Sequence, residues 1–144
     1  MKLSQIRTLK TFCNDLFSQP DFKEVITLAV ENQENDFEVN NVRFIISDSI
    51  DEIQQEELKS DLYCLGCFNA SFLAGVTGWP MGLIEAAQKG EAYEELGEVL
   101  VDYIKEIQDG YASADGYGHH FNGYDFSEDT IEIDGTEYFV FDNH

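Results

Sequence analysis

Leu3, Ile6, Leu9, Cys13, Leu16 and Phe17 recur three and four positions apart, which predicts an amphipathic helix over about residues 3–18. Pro20 ends that pattern and opens a second one, over about 21–32, with Phe22, Val25, Ile26 and Ala29 inward. The apolar period then drops to two. Phe37 and Val39, then Val42, Phe44 and Ile46, alternate around Asn40-Asn41; asparagine tolerates positive φ, so a β-hairpin is expected. Ser49 with Glu52 three residues on has the spacing of a capping box for a short acidic helix ending near Lys59. A more apolar helix is expected from Asp61 to about Val76. Another runs from Trp79-Pro80 to Gly90, and a long one spans about 91–109. After a loop rich in glycine and tyrosine, "TIEIDGTEYFVF" predicts a second hairpin turned by Asp134-Gly135. These elements make a single, mostly helical α+β domain over residues 1–144 with two β-hairpins. Local pattern leaves open whether the hairpins share a sheet.

With 43% apolar and 13% aromatic residues the chain is expected to fold rather than stay disordered. No apolar run approaches the ~18 residues of a membrane span. The opening "MKLSQIRTLKTF", interrupted by Arg7 and Lys10, lacks the apolar core of a secretory signal. Three cysteines in such a chain are expected to be reduced thiols in a cytoplasm. Charge changes the picture most. There are 29 acids against 8 lysines and arginines, a net charge of −21. Residues 1–60 hold 12 acids and 6 bases, whereas residues 61–144 hold 17 acids and only Lys89 and Lys105. That field repels nucleic acid and attracts basic surfaces, so neither direct nucleic-acid binding nor a membrane is expected. The plain alternative is that acidity serves solubility alone.

The acids are also patterned. At 100° per residue, Glu91, Glu94, Glu95, Glu98, Asp102, Glu106 and Asp109 fall within an arc of roughly 120°. Tyr93, Leu96, Leu100, Tyr103, Ile104 and Ile107 fall opposite, and Lys105 is the one base among the acids. Each like-charge neighbour costs about 0.2–0.5 kcal/mol, so a helix shaped for stability alone would interleave lysines. The stripe is therefore the foremost candidate for contact with a basic partner, its carboxylates taking the place of phosphates. A solvated outer face is the bland reading.

Within "FLAGVTGWPMGLIEAAQKG", residues 72–90, the positions Ala74, Gly78, Ile84 and Lys89-Gly90 resemble the helix-turn-helix family. The resemblance implies a transcription regulator whose second helix reads bases. Here that helix offers only Glu85, Gln88 and Lys89 as long polar side chains and has no arginine for guanine. A regulator would need a dimer that hides the acids and gathers Lys2, Arg7 and Lys10. A core helical hairpin anchored by Trp79 is the expectation.

Cys64 and Cys67 have CxxC spacing, but Cys13, His119, His120 and His144 form no second pair to complete a structural zinc site. Two small thiols packed in the core are expected instead, with no metal and no cofactor. "SADGYGHHFNGYD", residues 113–125, combines a free backbone with the rings of Tyr117, Phe121 and Tyr124. A structural loop is expected, with Tyr117 and Tyr124 as candidate partner contacts. His119 or His120 beside Asp115 or Asp125 is the basis of an alternative, a metal-dependent enzyme. Adjacent histidines on an extended chain point to opposite sides, so one at most would face a site.

"DGYGHHFNGYD" with the ending "YFVF" resembles the closing segment of small acidic proteins of phages and mobile elements. The resemblance implies a setting in which acidic inhibitors of host defence, such as antirestriction and anti-CRISPR proteins, are common. The functional expectation is a non-enzymatic acidic binding protein that mimics nucleic acid and blocks a basic, nucleic-acid-binding host protein.

Overall fold

The structure, a computed structural model, describes residues 1–144 throughout. Helices take 59% of the residues and the strands form one four-stranded antiparallel sheet, so the chain is a mostly helical α+β protein. Its contacts gather into two compact units, Met1–Ile50 with Asp115–His144 and the intervening Asp51–Ala114.

The first unit packs two helices on the sheet. Helix α1 (Leu3–Asp15) ends where Leu16 turns extended, three residues short of the expected end, so Phe17 lies outside it and is exposed. Leu3 is exposed as well; Leu9 and Cys13 are the buried residues of α1, and Phe12 packs partly buried against the same core. Helix α2 (Phe22–Ile26) starts at Asp21, whose carboxylate accepts the Lys23 N–H, and continues as a π-helical turn, Thr27–Glu31. Strands β1 (Asp36–Val39) and β2 (Val42–Ile46) meet at Asn40 and Asn41, both at positive φ, as the sequence predicts. Two more strands follow the second unit, β3 (Asp129–Ile133) and β4 (Thr136–Asp142), turned by Asp134 and Gly135 at φ 51° and 82°.

Strand order is β1-β2-β4-β3, so the two hairpins share one sheet. The β2–β4 pairing sets Phe44 opposite Val140 and Ile46 opposite Tyr138. One face carries Phe37, Val39, Val42, Phe44, Ile133, Tyr138 and Val140 into a core with Leu9, Cys13, Val25 and Ala29. The short helix α3 (Gly118–Phe121) lays Phe121 against Phe141 of β4 and under the Arg43 guanidinium, which itself grips Asp36 with two hydrogen bonds.

The second unit is helical. Its first helix, α4 (Ile50–Lys59), is entered through a 3-10 turn, Ser47–Ser49. Ser49 is therefore the last residue of that turn, directly before the helix. The single helix expected over 61–76 is two, α5 (Leu62–Gly66) and α6 (Ala70–Thr77). Asn69 makes the break, because its side chain accepts the Phe72 N–H and caps a new helix start. Gly78 ends α6 in the left-handed region at φ 76°, and α7 (Met81–Lys89) follows, with Pro80 and Gly90 as its caps. The long helix expected over 91–109 is also divided, into α8 (Tyr93–Leu100), a 3-10 turn (Val101–Tyr103) and α9 (Ile104–Asp115). Its core joins Leu65, Leu73, Ile84, Leu96, Leu100 and Ile107, with Trp79 edge-on to Tyr103.

Candidate functional site

Helix α8 is held by contact at backbone distance. A Cβ on Gly97 would lie 2.0 Å from the Leu62 carbonyl oxygen, and one on Gly66 would lie 2.0 Å from that of Tyr93. Two glycines thus let α5 and α8 touch main chain to main chain, and α8 turns Leu96, Gly97 and Leu100 inward. What remains outside is Glu94, Glu95, Glu98 and the half-exposed Val99.

Beyond Leu100 the backbone stays in the right-handed helical region through the 3-10 turn, so the acids continue along one helical path. A 3-10 turn advances about 120° per residue against 100°, so three residues rotate the acids of α9 by about 60° relative to those of α8. The stripe is a winding band and not the straight row that uniform stepping gives. Glu91 is outside the helical stepping altogether: it sits in the preceding turn at φ 58°, and α8 starts at Tyr93. Glu91, Glu94, Glu95, Glu98, Asp102, Glu106 and Asp109 are all exposed, and none has an ion-pair partner. Lys105 is exposed among them. The predicted inward set holds, with Leu96, Leu100 and Ile107 buried and Tyr93, Tyr103 and Ile104 partly so.

The far end of the band adjoins a feature that sequence reading missed. Gln108, 2% exposed, donates through Nε2 to Asp51 Oδ1 and Gln54 Oε1, both at 2.9 Å, and accepts from Gln55 Nε2 at 3.1 Å. This amide network ties α9 to α4. Beside it lies an open cleft of about 300 Å³ lined by Asp51, Gln55, Lys105, Glu106, Gln108 and Asp109. The signal was present: Gln108 stands four residues after inward Ile104, where a polar residue must find buried partners.

Cys64 and Cys67 are exposed, against the expectation of core packing, and only Cys13 is buried. Helix α5 buries Leu65 and Gly66, so its two thiols face out together. Asp61 caps α5 through the Cys64 N–H at 3.1 Å, and its carboxylate beside the Cys64 thiol, with partial desolvation, raises that thiol above its ordinary value. The Asp61 carboxyl is correspondingly lowered.

The segment expected as a loop over 113–125 is half helical, since α9 runs to Asp115 and α3 takes Gly118–Phe121. His119 and His120 are therefore successive residues of a helical turn. His119 stacks on Phe126 at 4.8 Å and His120 meets Phe121 edge-on at 4.6 Å. Asp125 accepts from the hydroxyl and N–H of Ser127, which hold its carboxyl low. Gly118 is required here, because a Cβ would lie 2.1 Å from the Phe126 carbonyl oxygen. Buried Asn122 organises the remainder: it donates to Ser127 and accepts the N–H groups of Tyr124 and Asp125. Tyr117 packs on Phe139 at 5.1 Å, whereas Tyr124 is 63% exposed and lies against His144 at 4.0 Å. No group of three or more His, Cys, Asp and Glu side chains is placed to hold a metal ion. No helix is long and apolar enough to cross a membrane.

Comparison with protein-family models, with curated proteins and with solved structures gave no match.

Proposed function

We propose that this chain is a non-enzymatic acidic binding protein whose exposed carboxylate band engages a basic, nucleic-acid-binding protein and competes with its nucleic acid. The observation that carries the reading is the run Glu94, Glu95, Glu98, Asp102, Glu106 and Asp109, all exposed and without ion-pair partners along α8, the 3-10 turn and α9. Side chains three and four residues apart stand about 5–6 Å from each other, a step comparable with the phosphates of one nucleic-acid strand. Because α8 is fixed to α5 through Gly66 and Gly97, the backbone that carries Glu94, Glu95 and Glu98 has little freedom left to lose on binding. The cleft beside Glu106 and Asp109 supports the same reading, since its lining sets three carboxylates, Asp51 included, against the single ammonium of Lys105. Tyr124 offers a separate exposed ring on the first unit.

The test is capture of proteins on the tagged chain in the presence of nuclease, beside the variant E94K/E98K/D102K. The proposal expects one nucleic-acid-handling protein or complex to be enriched, to be lost from the variant, and to bind about tenfold or more weakly when salt rises from low to physiological. Equal capture by the variant removes the band from the account.

A further inference from the structure

We propose that Cys64 and Cys67 form a two-coordinate site for a soft monovalent metal ion of the copper(I) class. Both thiols are exposed on one side of α5 and its C-terminal cap. The Cys67 N–H donates to the Cys64 carbonyl at 3.1 Å, and Cys67 keeps a helical backbone at φ −86° and ψ −4°. Residues so related have Cβ atoms about 5–6 Å apart, whereas a disulfide needs about 3.5–4.5 Å. Closing that gap would move a backbone whose Gly66 is already seated against Tyr93. A bridging ion has the reach that a disulfide lacks: two metal–sulfur bonds of roughly 2.3 Å each replace one S–S bond of about 2.05 Å.

Ligand count then selects the ion. Structural zinc takes four protein ligands and catalytic zinc about three, but no group of three is present and Cys13 is fully buried. Soft thiolate ligands select copper(I), and here there are two of them. On binding, each thiol loses its proton to solvent and forms one sulfur–metal bond; two protons are released and no electron moves. Asp61 keeps its bond to the Cys64 N–H and so holds the start of α5 in place. The chain's net charge of −21 favours arrival of a cation.

The test is an anaerobic titration of the fully reduced protein with copper(I) supplied from a chromophoric copper(I) chelator, with transfer read by absorbance. One equivalent is expected to transfer to the wild type, with affinity falling roughly 100-fold or more in C64S and in C67S, because a hydroxyl is a harder ligand. The double variant C64S/C67S keeps buried Cys13, so transfer that persists in it overturns the site, as does no transfer to the wild type. Native mass spectrometry of the same samples is expected to show one ion on one chain. An ion shared between two chains overturns the intrachain site.

Discussion

Cys13, Cys64 and Cys67 are chemically one residue type and physically two. Burial, and then the charge of Asp21, push the Cys13 thiol up to about 11, while Cys64 and Cys67 face solvent. A colourless aromatic disulfide reagent that releases a coloured thiolate is therefore expected to report two accessible thiols in the native protein and the third only after denaturant is added. Reaction of all three at one native rate would contradict the burial of Cys13. Asp142 supplies a pH dependence. Burial pushes its carboxyl up, but the Ser18 hydroxyl at 2.6 Å, the Ser18 N–H at 3.1 Å and His144 at 3.2 Å together hold it below the usual range. A carboxyl lower in the folded than in the unfolded chain stabilises at pH above its unfolded value, and that contribution fades as pH falls through its folded value. Urea unfolding between neutral pH and about pH 3 is expected to show D142N less stable at neutrality by about 1.5–3 kcal/mol, with a shallower loss below about pH 4. An unchanged acid limb would remove Asp142 from its cause.

At the scale of elements, the glycines divide by what surrounds them. Gly66→Ala and Gly97→Ala each drive a Cβ into backbone that cannot swing aside, so each is expected to cost about 3 kcal/mol or more in denaturant unfolding. Gly82→Ala, on exposed α7 with nothing within 4 Å, is expected to stabilise by about 0.5–1 kcal/mol through helix propensity. Equal effects in the two groups would contradict the close α5–α8 contact. Both hairpins were legible in the sequence, because Asn40-Asn41 and Asp134-Gly135 are residues that accept positive φ between alternating apolar positions. The inward faces of α8 and α9 were legible from the period alone. The breaks at Cys67–Asn69 and Val101–Tyr103 were not, because apolar residues continue across both and Asn69 acts as a cap only through one hydrogen bond. Pairing of β2 with β4 joins segments about a hundred residues apart, which no local pattern records. The exposed acids were legible as charge on a helical wheel. The thiols were misread because three-residue spacing says that two side chains share a side, not which side is buried.

For the whole molecule, charge is the dominant variable. A net charge of −21 makes the folded state repel itself, and the exposed acids of α8 and α9 add like-charge neighbours along the helix. The melting temperature is expected to rise as salt is added at low ionic strength, and to rise less in E94K/E98K/D102K, whose three reversals reduce the net charge from −21 to −15. A melting temperature that falls or stays level over that range would contradict the self-repulsion. The same residues then join the stability of the second unit to its proposed use, since repulsion left standing in the free protein is relieved when a basic surface covers the band. The most direct measurement is competition on the captured partner: labelled nucleic acid bound to it is followed by fluorescence anisotropy while this chain is added. The account predicts that the wild type displaces the nucleic acid and that E94K/E98K/D102K does not. Simultaneous binding of chain and nucleic acid, or equal displacement by the variant, would contradict it.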